Sequence, residues 1–152
     1  MNKINFFLFF LPFLSFSQDP VKSSNFFDNL TAEEKRIIIM KGTERPGSGL
    51  YNKYFEKGIY ICKACNNQLF NSNAKFQSNC GWPSFDEEIN GSIVRHQDSS
   101  FGMKRTEICC ANCNGHLGHV FEGEELTERN IRYCVNSLSM KFVNDKNMII
   151  HE

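Results

Sequence analysis

The chain has 152 residues, 41% of them hydrophobic and 22% charged, and its 17 basic and 17 acidic residues give a formal net charge of zero. This length and composition are typical of one globular domain, and the charge balance gives no basic surface of the kind that binds nucleic acid. The unusual part of the composition is the 7 cysteines and 15 phenylalanines.

Residues 1–17 predict a secretory signal peptide. Lys3 precedes an apolar, phenylalanine-rich run, and Ser15 and Ser17 have the small-residue spacing that a signal peptidase recognises before a cut at Gln18. The run is shorter than the roughly 20 apolar residues of a membrane-spanning helix, although an uncleaved leader remains an alternative. We therefore expect an exported protein, either periplasmic or secreted.

A flexible arm and then a single folded domain are expected after the leader. Residues 18–29 are polar and have no periodicity, as in an unstructured arm, and the domain is expected over residues 30–152. Thr31 and Glu34 fit a capping box, which predicts a short helix that stops before Gly42.

The remainder of the chain has the pattern of short strands separated by turn residues. The predicted strands are Gly58–Cys62, Gln68–Phe70, Ser92–His96, Thr106–Cys109, His119–Phe121, Arg132–Asn136, Ser139–Phe142 and Met148–Ile150. No helical periodicity continues beyond the first helix. The sequence therefore predicts a mainly β fold of antiparallel sheets with one or two short N-terminal helices.

Two Cys-x-x-Cys motifs predict a metal site. The four cysteines are Cys62, Cys65, Cys110 and Cys113. Two such motifs brought together form the tetrahedral four-thiolate cage that Zn²⁺ prefers in structural sites. Two disulfides are the alternative, because an exported protein meets an oxidising environment. Cys109 can in principle replace its neighbour Cys110, but only Cys110 has the two-residue spacing to Cys113.

The three other cysteines are Cys80, Cys109 and Cys134. In a predicted strand, Arg132, Cys134 and Asn136 point to the same face, which places a guanidinium beside a thiol and favours the reactive thiolate. A buried structural cysteine is the alternative at this position. Cys80 lies in a loop rich in Gly and Pro, and Cys109 is expected to be a small buried hydrophobic residue.

Histidines and aromatic residues near these cysteines are candidate site residues. His116 and His119 lie in a glycine-containing segment just after the second Cys-x-x-Cys motif, and we interpret this segment as a turn that presents proton donors near neutral pH. Trp82 and Phe85 follow Cys80 and are either core aromatics or an exposed aromatic wall beside it.

Several of these segments together resemble the methionine sulfoxide reductase B family. The segments run in the family's order: Thr43-Glu44, Gly58 to Cys65, Lys75-Phe76, Cys80 to Phe85, His116 to Phe121 and Arg132 to Ser137. The resemblance covers the chain from about Leu30 to Phe142. It implies two antiparallel β-sheets with one structural zinc, and reduction of the R epimer of methionine sulfoxide, mainly in peptides and proteins.

The resemblance also implies a mechanism. The Cys134 thiolate attacks the sulfoxide sulfur while His119, assisted or oriented by His116, protonates the leaving oxygen. Cys134 becomes a sulfenic acid, and Cys80 condenses with it to a disulfide. A thioredoxin-like reductant then reduces that disulfide. No organic cofactor is expected, and the protein is expected to be a monomer.

Further site residues follow from the same resemblance. Arg132 would stabilise the thiolate and Asn136 would hydrogen-bond within the site. Trp82 would pack on the S-methyl group of the substrate, and Phe85, Phe121 and His116 are also expected to contact the substrate.

One segment departs from the family pattern, and two other functional classes stay open. The common form has an Asp-Gly-Pro type of turn after His-Val-Phe, whereas this chain has Glu122 to Ile131, which leaves contacts at the substrate rim in doubt. Cys109 is also additional to the pattern and is given no role. The alternatives are a non-catalytic zinc-binding module, which needs no reactive thiol, and a general thiol-disulfide oxidoreductase that uses Cys80 and Cys134.

Overall fold

A computed structural model describes residues 25–144. The predicted leader, residues 18–24 of the predicted arm and the predicted strand Met148–Ile150 lie outside the described residues. Within them, no helix is long and apolar enough to cross a membrane.

One α-helix, α1, spans Ala32–Ile38. The predicted capping box is present: Thr31 Oγ1 accepts a hydrogen bond from the Glu34 amide at 3.2 Å, and Glu34 Oε2 accepts one from the Thr31 amide at 2.8 Å. These bonds satisfy two backbone donors that the first helical turn leaves free. Ile37 and Ile38 are buried, so burial of the β-branched residues offsets their modest helix propensity.

A three-stranded antiparallel sheet contains β1 (Gly58–Cys62), β2 (Gln68–Asn71) and β9 (Met140–Asn144). Its strand order is β2-β1-β9. The central strand β1 alternates fully buried and partly buried residues, as expected when one face of a sheet lies on the core.

A six-stranded antiparallel sheet contains, in chain order, β3 (Lys75–Phe76), β4 (Ser84–Phe85), β5 (Ile93–Asp98), β6 (Arg105–Cys110), β7 (His116–Glu122) and β8 (Ile131–Val135). Its strand order is β3-β4-β8-β7-β6-β5. Short 3-10 turns at Ser72–Ala74, Ser100–Gly102 and Ser137–Ser139 complete the described regular structure.

The hydrophobic core contains residues from both sheets. Phe70 of β2 stacks on Phe85 of β4 with ring centroids 4.2 Å apart, and Tyr60 of β1 meets Phe85 edge to face at 5.0 Å. Tyr133 and Val135 of β8 belong to the same buried cluster. The predicted mainly β fold with two antiparallel sheets and a short N-terminal helix is therefore confirmed.

The structure adds strands β3 and β4 to the predicted set and lengthens the strand predicted at His119–Phe121. Ser84 and Phe85 form strand β4, where the sequence predicts a loop. A strand of two residues directly after Pro83 is too short to show a strand pattern in the sequence. His116 and Gly118 belong to strand β7 rather than to a turn. Gly118 weakens the strand pattern of the sequence, but pairing with β6 and β8 on either side determines the local structure.

Candidate active site and metal centre

Pairing of β4 with β8 brings Cys80 to Cys134. Ser84 lies opposite Cys134 in this pair, and Cys80 occupies the loop just before β4. The two Sγ atoms are 3.9 Å apart, and both thiols are free. A disulfide bond is about 2.05 Å long, so modest side-chain rotation is enough to join the two sulfurs.

Strand β8 presents Arg132 and Cys134 to the face opposite the core. Tyr133 and Val135 point into the core, as the alternation of a strand requires. Arg132 is buried and donates from Nε and from Nη2 to the two carboxylate oxygens of Glu124, at 2.7 and 2.8 Å. Glu124 belongs to the segment that departs from the family pattern. This segment therefore supplies the bidentate partner that orients the guanidinium.

The two thiols form a hydrogen-bonded pair. Contact with Cys134 lowers the pKa of Cys80 to about 4, and Ser78 and Ser84 act in the same direction. The same contact, followed by burial, raises the pKa of Cys134, whereas the guanidinium of Arg132 lowers it. Each thiol contacts the other, so the two cysteines titrate as a coupled pair.

Strand β7 places His119 directly opposite Cys134 in the β7–β8 pair. His119 Nε2 lies 2.8 Å from Asp98 Oδ2, which also accepts a 2.6 Å bond from Arg105. Hydrogen bonds from Ser100 and His119 lower the pKa of Asp98, so this residue is a carboxylate at neutral pH. The hydrogen bond with this carboxylate fixes the orientation of the His119 ring.

His116 is buried deeper, with 2% of its surface exposed. Its Nδ1 lies 2.7 Å from Glu107 Oε1, and the other oxygen of Glu107 accepts a 2.7 Å bond from Lys41. Burial lowers the pKa of His116, although Glu107 acts in the opposite direction. The ring of His116 packs edge to face against His119, with centroids 5.7 Å apart. The geometry therefore suits His116 to orient His119 and not to donate the proton itself.

A pocket of about 120 Å³ opens over Cys134. It is lined by Thr43, Trp82, Arg105, Gly118, His119, Phe121, Cys134, Val135 and Asn136. Trp82 is held by a 3.2 Å bond from Nε1 to the carbonyl oxygen of Glu44. A Cβ atom at Gly118 would overlap the carbonyl oxygen of Cys134, so glycine at this position lets β7 lie close against β8.

The structure places Asn136 at the pocket and Phe85 in the core. Asn136 follows the end of β8, where its Oδ1 accepts from the Glu44 amide at 3.0 Å and its Nδ2 donates to the Leu117 carbonyl at 3.1 Å. It lines the pocket, but these bonds use its amide to join three segments. Phe85 is 0% exposed and stacked in the core. The expected substrate contact of Phe85 is therefore wrong, because β4 turns its side chain away from Cys134.

The four cysteines of the two Cys-x-x-Cys motifs converge on one point. All their Sγ atoms lie within 4.8 Å of one another, with Cys62 3.6 Å from Cys113 and Cys65 3.5 Å from Cys110. A tetrahedron with metal–sulfur bonds of about 2.3 Å has sulfur–sulfur edges of about 3.8 Å. The cluster therefore fits a tetrahedral metal ion, and its four thiols are free.

A second group of possible ligands contains Glu107, Cys109 and His116, all of them buried. Both carboxylate oxygens of Glu107 already bind Lys41 and His116, so Glu107 and His116 belong to a hydrogen-bond network beside the site. Cys109 is 1% exposed, and burial raises its pKa to about 12. It is the small buried residue that the sequence predicts.

The SelR domain model matches residues 30–144 of this chain. The chain belongs to the SelR family, that is, to the methionine sulfoxide reductase B family. This membership confirms the family that the sequence motifs indicate.

Several relatives carry the corresponding name. The chain is 51% identical over 121 residues to "Peptide methionine sulfoxide reductase MsrB" of Methanosarcina mazei, a match that covers 77% of this chain and 84% of that protein. It is 50% identical over 117 residues to the protein of the same name from Agrobacterium fabrum, covering 76% of this chain and 85% of that protein. A match to "Peptide methionine sulfoxide reductase B2, chloroplastic" of Arabidopsis thaliana is 51% identical over 114 residues and covers 74% of this chain. This chain spans 55% of that plant protein's length and 49% of a second chloroplastic relative from rice.

For a methionine sulfoxide reductase B, the supporting residues around the pocket are the part that sequence reasoning missed. Asp98 binds His119, Glu107 binds His116, and the Glu44 carboxylate accepts hydrogen bonds from the Ser137 and Leu138 amides just after β8. Each of these carboxylates binds a residue on another strand or in a distant segment, so no spacing within the sequence identifies the pair. The only signal in the sequence was Thr43-Glu44 among the family motifs.

Proposed function

We propose that this chain reduces the R epimer of methionine sulfoxide in peptides and proteins, with Cys134 as nucleophile and Cys80 as resolving cysteine. The single observation that supports this most is the Cys80–Cys134 sulfur pair, 3.9 Å apart, at a pocket walled by Trp82 with His119 opposite the nucleophile. Membership in the family gives the expected reaction.

The first step transfers the sulfoxide oxygen. The Cys134 thiolate attacks the sulfoxide sulfur, and His119, oriented by its hydrogen bond with Asp98, donates a proton to the oxygen. The bond between the two sulfurs then breaks as the protonated oxygen passes from the substrate sulfur to the Cys134 sulfur. The substrate sulfur is reduced by two electrons and leaves as methionine, while Cys134 is oxidised by two electrons to a sulfenic acid. Arg132 stabilises negative charge on the thiolate, and Trp82 and Phe121 form apolar walls for the S-methyl group.

The second step closes a disulfide. The Cys80 sulfur attacks the sulfenic sulfur of Cys134, and the hydroxyl leaves as water after protonation. A thioredoxin-like dithiol then reduces the disulfide, and both cysteines return to thiols. The net reaction converts one sulfoxide and one dithiol into one methionine, one disulfide and one water.

An assay with separate R and S epimers of a methionine sulfoxide peptide tests the function. We expect reduction of the R epimer only, and mass spectrometry of the spent enzyme should find a Cys80–Cys134 disulfide. Brisk exchange with unrelated disulfides without reduction of either epimer would favour the general thiol-disulfide oxidoreductase. Intact zinc with no reaction of either kind would favour a non-catalytic module.

We expect Cys80→Ala to allow one turnover and then to stall with a thioredoxin-like reductant. Contact with Cys80 is the largest cause that raises the pKa of Cys134, so its removal lowers that pKa. The deprotonated nucleophile then persists to lower pH. The pH at which the single-turnover rate is half-maximal should therefore move downward, which rapid-quench measurements across pH can detect.

Cys109→Ala is the matched control for Cys80→Ala, because it also removes a thiol but not one that contacts Cys134. It should keep multiple turnover and the wild-type pH profile. Sustained turnover by Cys80→Ala at the wild-type rate would rule out Cys80 as the resolving cysteine.

We propose that the four-cysteine cluster holds one structural Zn²⁺. The ligands would be Cys62, Cys65, Cys110 and Cys113, whose spacing and chemistry suit this ion. All four positions of the tetrahedron would be filled by protein, so the ion would stabilise the fold and take no part in the reaction.

We also propose that the protein acts outside the cytoplasm as a monomer, after removal of residues 1–17. The apolar run and the Ser15-Phe16-Ser17 segment support cleavage before Gln18. The intact mass of the protein recovered from a native host fraction tests this, and a retained leader in the membrane fraction would contradict it.

A further inference from the structure

An open cavity of about 530 Å³ adjoins the Cys134 pocket and shares Thr43, Arg105 and His119 with it. Three other lining residues are large and apolar: Met40, Phe101 and Met103, which are 76%, 91% and 44% exposed. Single exposed hydrophobic side chains are common on protein surfaces. Three at one cavity beside a reactive thiol form an apolar surface, which we call the apolar rim.

Phe101 has a backbone conformation that is uncommon for an aromatic residue. Its backbone is left-handed, with φ 55° and ψ 24°, which is unfavourable for a bulky residue. The turn that holds it is fixed by Asp98, whose Oδ1 accepts the Ser100 amide at 2.9 Å while Oδ2 binds His119. A strained backbone therefore places the Phe101 ring in solvent. The preceding residue, Ser100, donates a hydrogen bond to Asp98, which also binds His119. Strain of this kind concentrates at functional positions.

The volumes of the two cavities indicate which part of a peptide substrate each can hold. A pocket of about 120 Å³ over Cys134 suits a single short side chain. The chain on either side of an oxidised methionine must then lie outside this pocket. The larger cavity begins at His119 and Arg105, at the mouth of the pocket, and offers the apolar rim to neighbouring residues.

The position of the rim favours the substrate over the reductant as its occupant. A reductant must reach the Cys80–Cys134 disulfide, and neither Cys80 nor Trp82 lines the larger cavity. The cavity instead lies on the His116 and His119 side of Cys134.

We propose that the apolar rim binds the residues next to the oxidised methionine, so that the enzyme prefers methionine sulfoxide with apolar neighbours. This inference rests on the proposed function. Such segments are normally buried in folded proteins and become accessible when oxidation or stress unfolds them. The flexible thioethers of Met40 and Met103 can adapt to different neighbours, while Phe101 supplies a fixed aromatic surface.

The test compares three substrates of the R configuration with the full enzyme. These are methionine sulfoxide blocked at both ends, a peptide with leucine on both sides of the sulfoxide, and the same peptide with serine on both sides. Phe101→Asn removes the ring but keeps a residue that tolerates a left-handed backbone. We expect kcat/KM for the leucine-flanked peptide to fall by about 3- to 10-fold, the size of effect that loss of one partly buried aromatic contact gives. The other two substrates should change by less than about 2-fold.

Leu50→Asn is the matched control, because Leu50 is 75% exposed and lines neither cavity near Cys134. It should change no substrate. Equal losses on all three substrates, or no loss on any, would overturn the proposal. Normal single turnover with slower thioredoxin-driven recycling would also overturn it, because the rim would then bind the reductant. Inactivity of the wild type on every R-sulfoxide would instead refute the proposed function.

Discussion

Cys134→Ser is expected to abolish reduction of a methionine R-sulfoxide peptide, with a loss of at least about 10³-fold in both single and multiple turnover. A serine hydroxyl is not appreciably ionised near neutral pH and does not form a sulfenic acid equivalent, so both the attack and the disulfide step are lost. The fold should persist, because Cys134 is half-buried at the edge of the pocket and is not part of the four-cysteine cluster.

Rapid-quench and steady-state assays, together with metal analysis of the same samples, check the Cys134→Ser prediction. The variant should contain as much zinc as the wild type and unfold at a similar temperature. Cys109→Ala again serves as the control for removal of a thiol, and it should remain active. Full multiple turnover by Cys134→Ser would exclude the proposed mechanism.

The second large effect is expected from Cys110→Ser, which should remove the bound metal and most of the stability of the domain. Cys62 ends β1 in the three-stranded sheet and Cys110 ends β6 in the six-stranded sheet, so a metal ion at the cluster joins the two sheets. Structural zinc sites contribute roughly 10–16 kcal/mol of apparent binding free energy in small domains, which exceeds the usual net stability of a domain. We expect less than about one tenth of the wild-type zinc content and loss of a cooperative thermal transition.

The consequence of Cys110→Ser for activity follows from the chain path. β7 begins at His116, three residues after the ligand Cys113, so release of the cluster frees the strand that carries both histidines. A chelator applied to the wild type should reproduce the loss, and added zinc should reverse it. Wild-type protein with no zinc and with disulfides among the four cysteines would show that the cluster is a disulfide framework.

Features encoded by neighbouring residues were predictable. The capping box depends on Thr31 and Glu34, three positions apart on one helical turn, and the same two hydrogen bonds form in the structure. The alternation of Tyr133 and Val135 with Arg132 and Cys134 is a local property of a strand. Each Cys-x-x-Cys motif places two thiols close together in the chain, so only the convergence of the two motifs on one site had to be inferred.

Features that depend on distant pairing were not predictable in the same way. Phe85 has the same local signal whether it lines a pocket or enters the core, and only the register of β4 on β8 turns it toward Phe70. His116 follows the second Cys-x-x-Cys motif and is separated from His119 by a glycine-containing segment, yet pairing of β7 with both neighbouring strands makes His116 part of the strand. The sequence shows that Arg132 is close to the Cys134 thiol. Only the folded structure shows that burial and the contact with Cys80 raise the pKa of Cys134, against the effect of Arg132.

The sequence by itself determined the class of fold, the four cysteines of the candidate metal site and the family, because each depends on short motifs with a fixed physical meaning. Only the tertiary structure decided which of the site residues contact one another. The β4–β8 pairing brings Cys80 to within 3.9 Å of Cys134, and the sheet register aligns His119 with both Cys134 and Glu107. These contacts join residues far apart in the chain, and their energies depend on packing and burial that no local pattern contains.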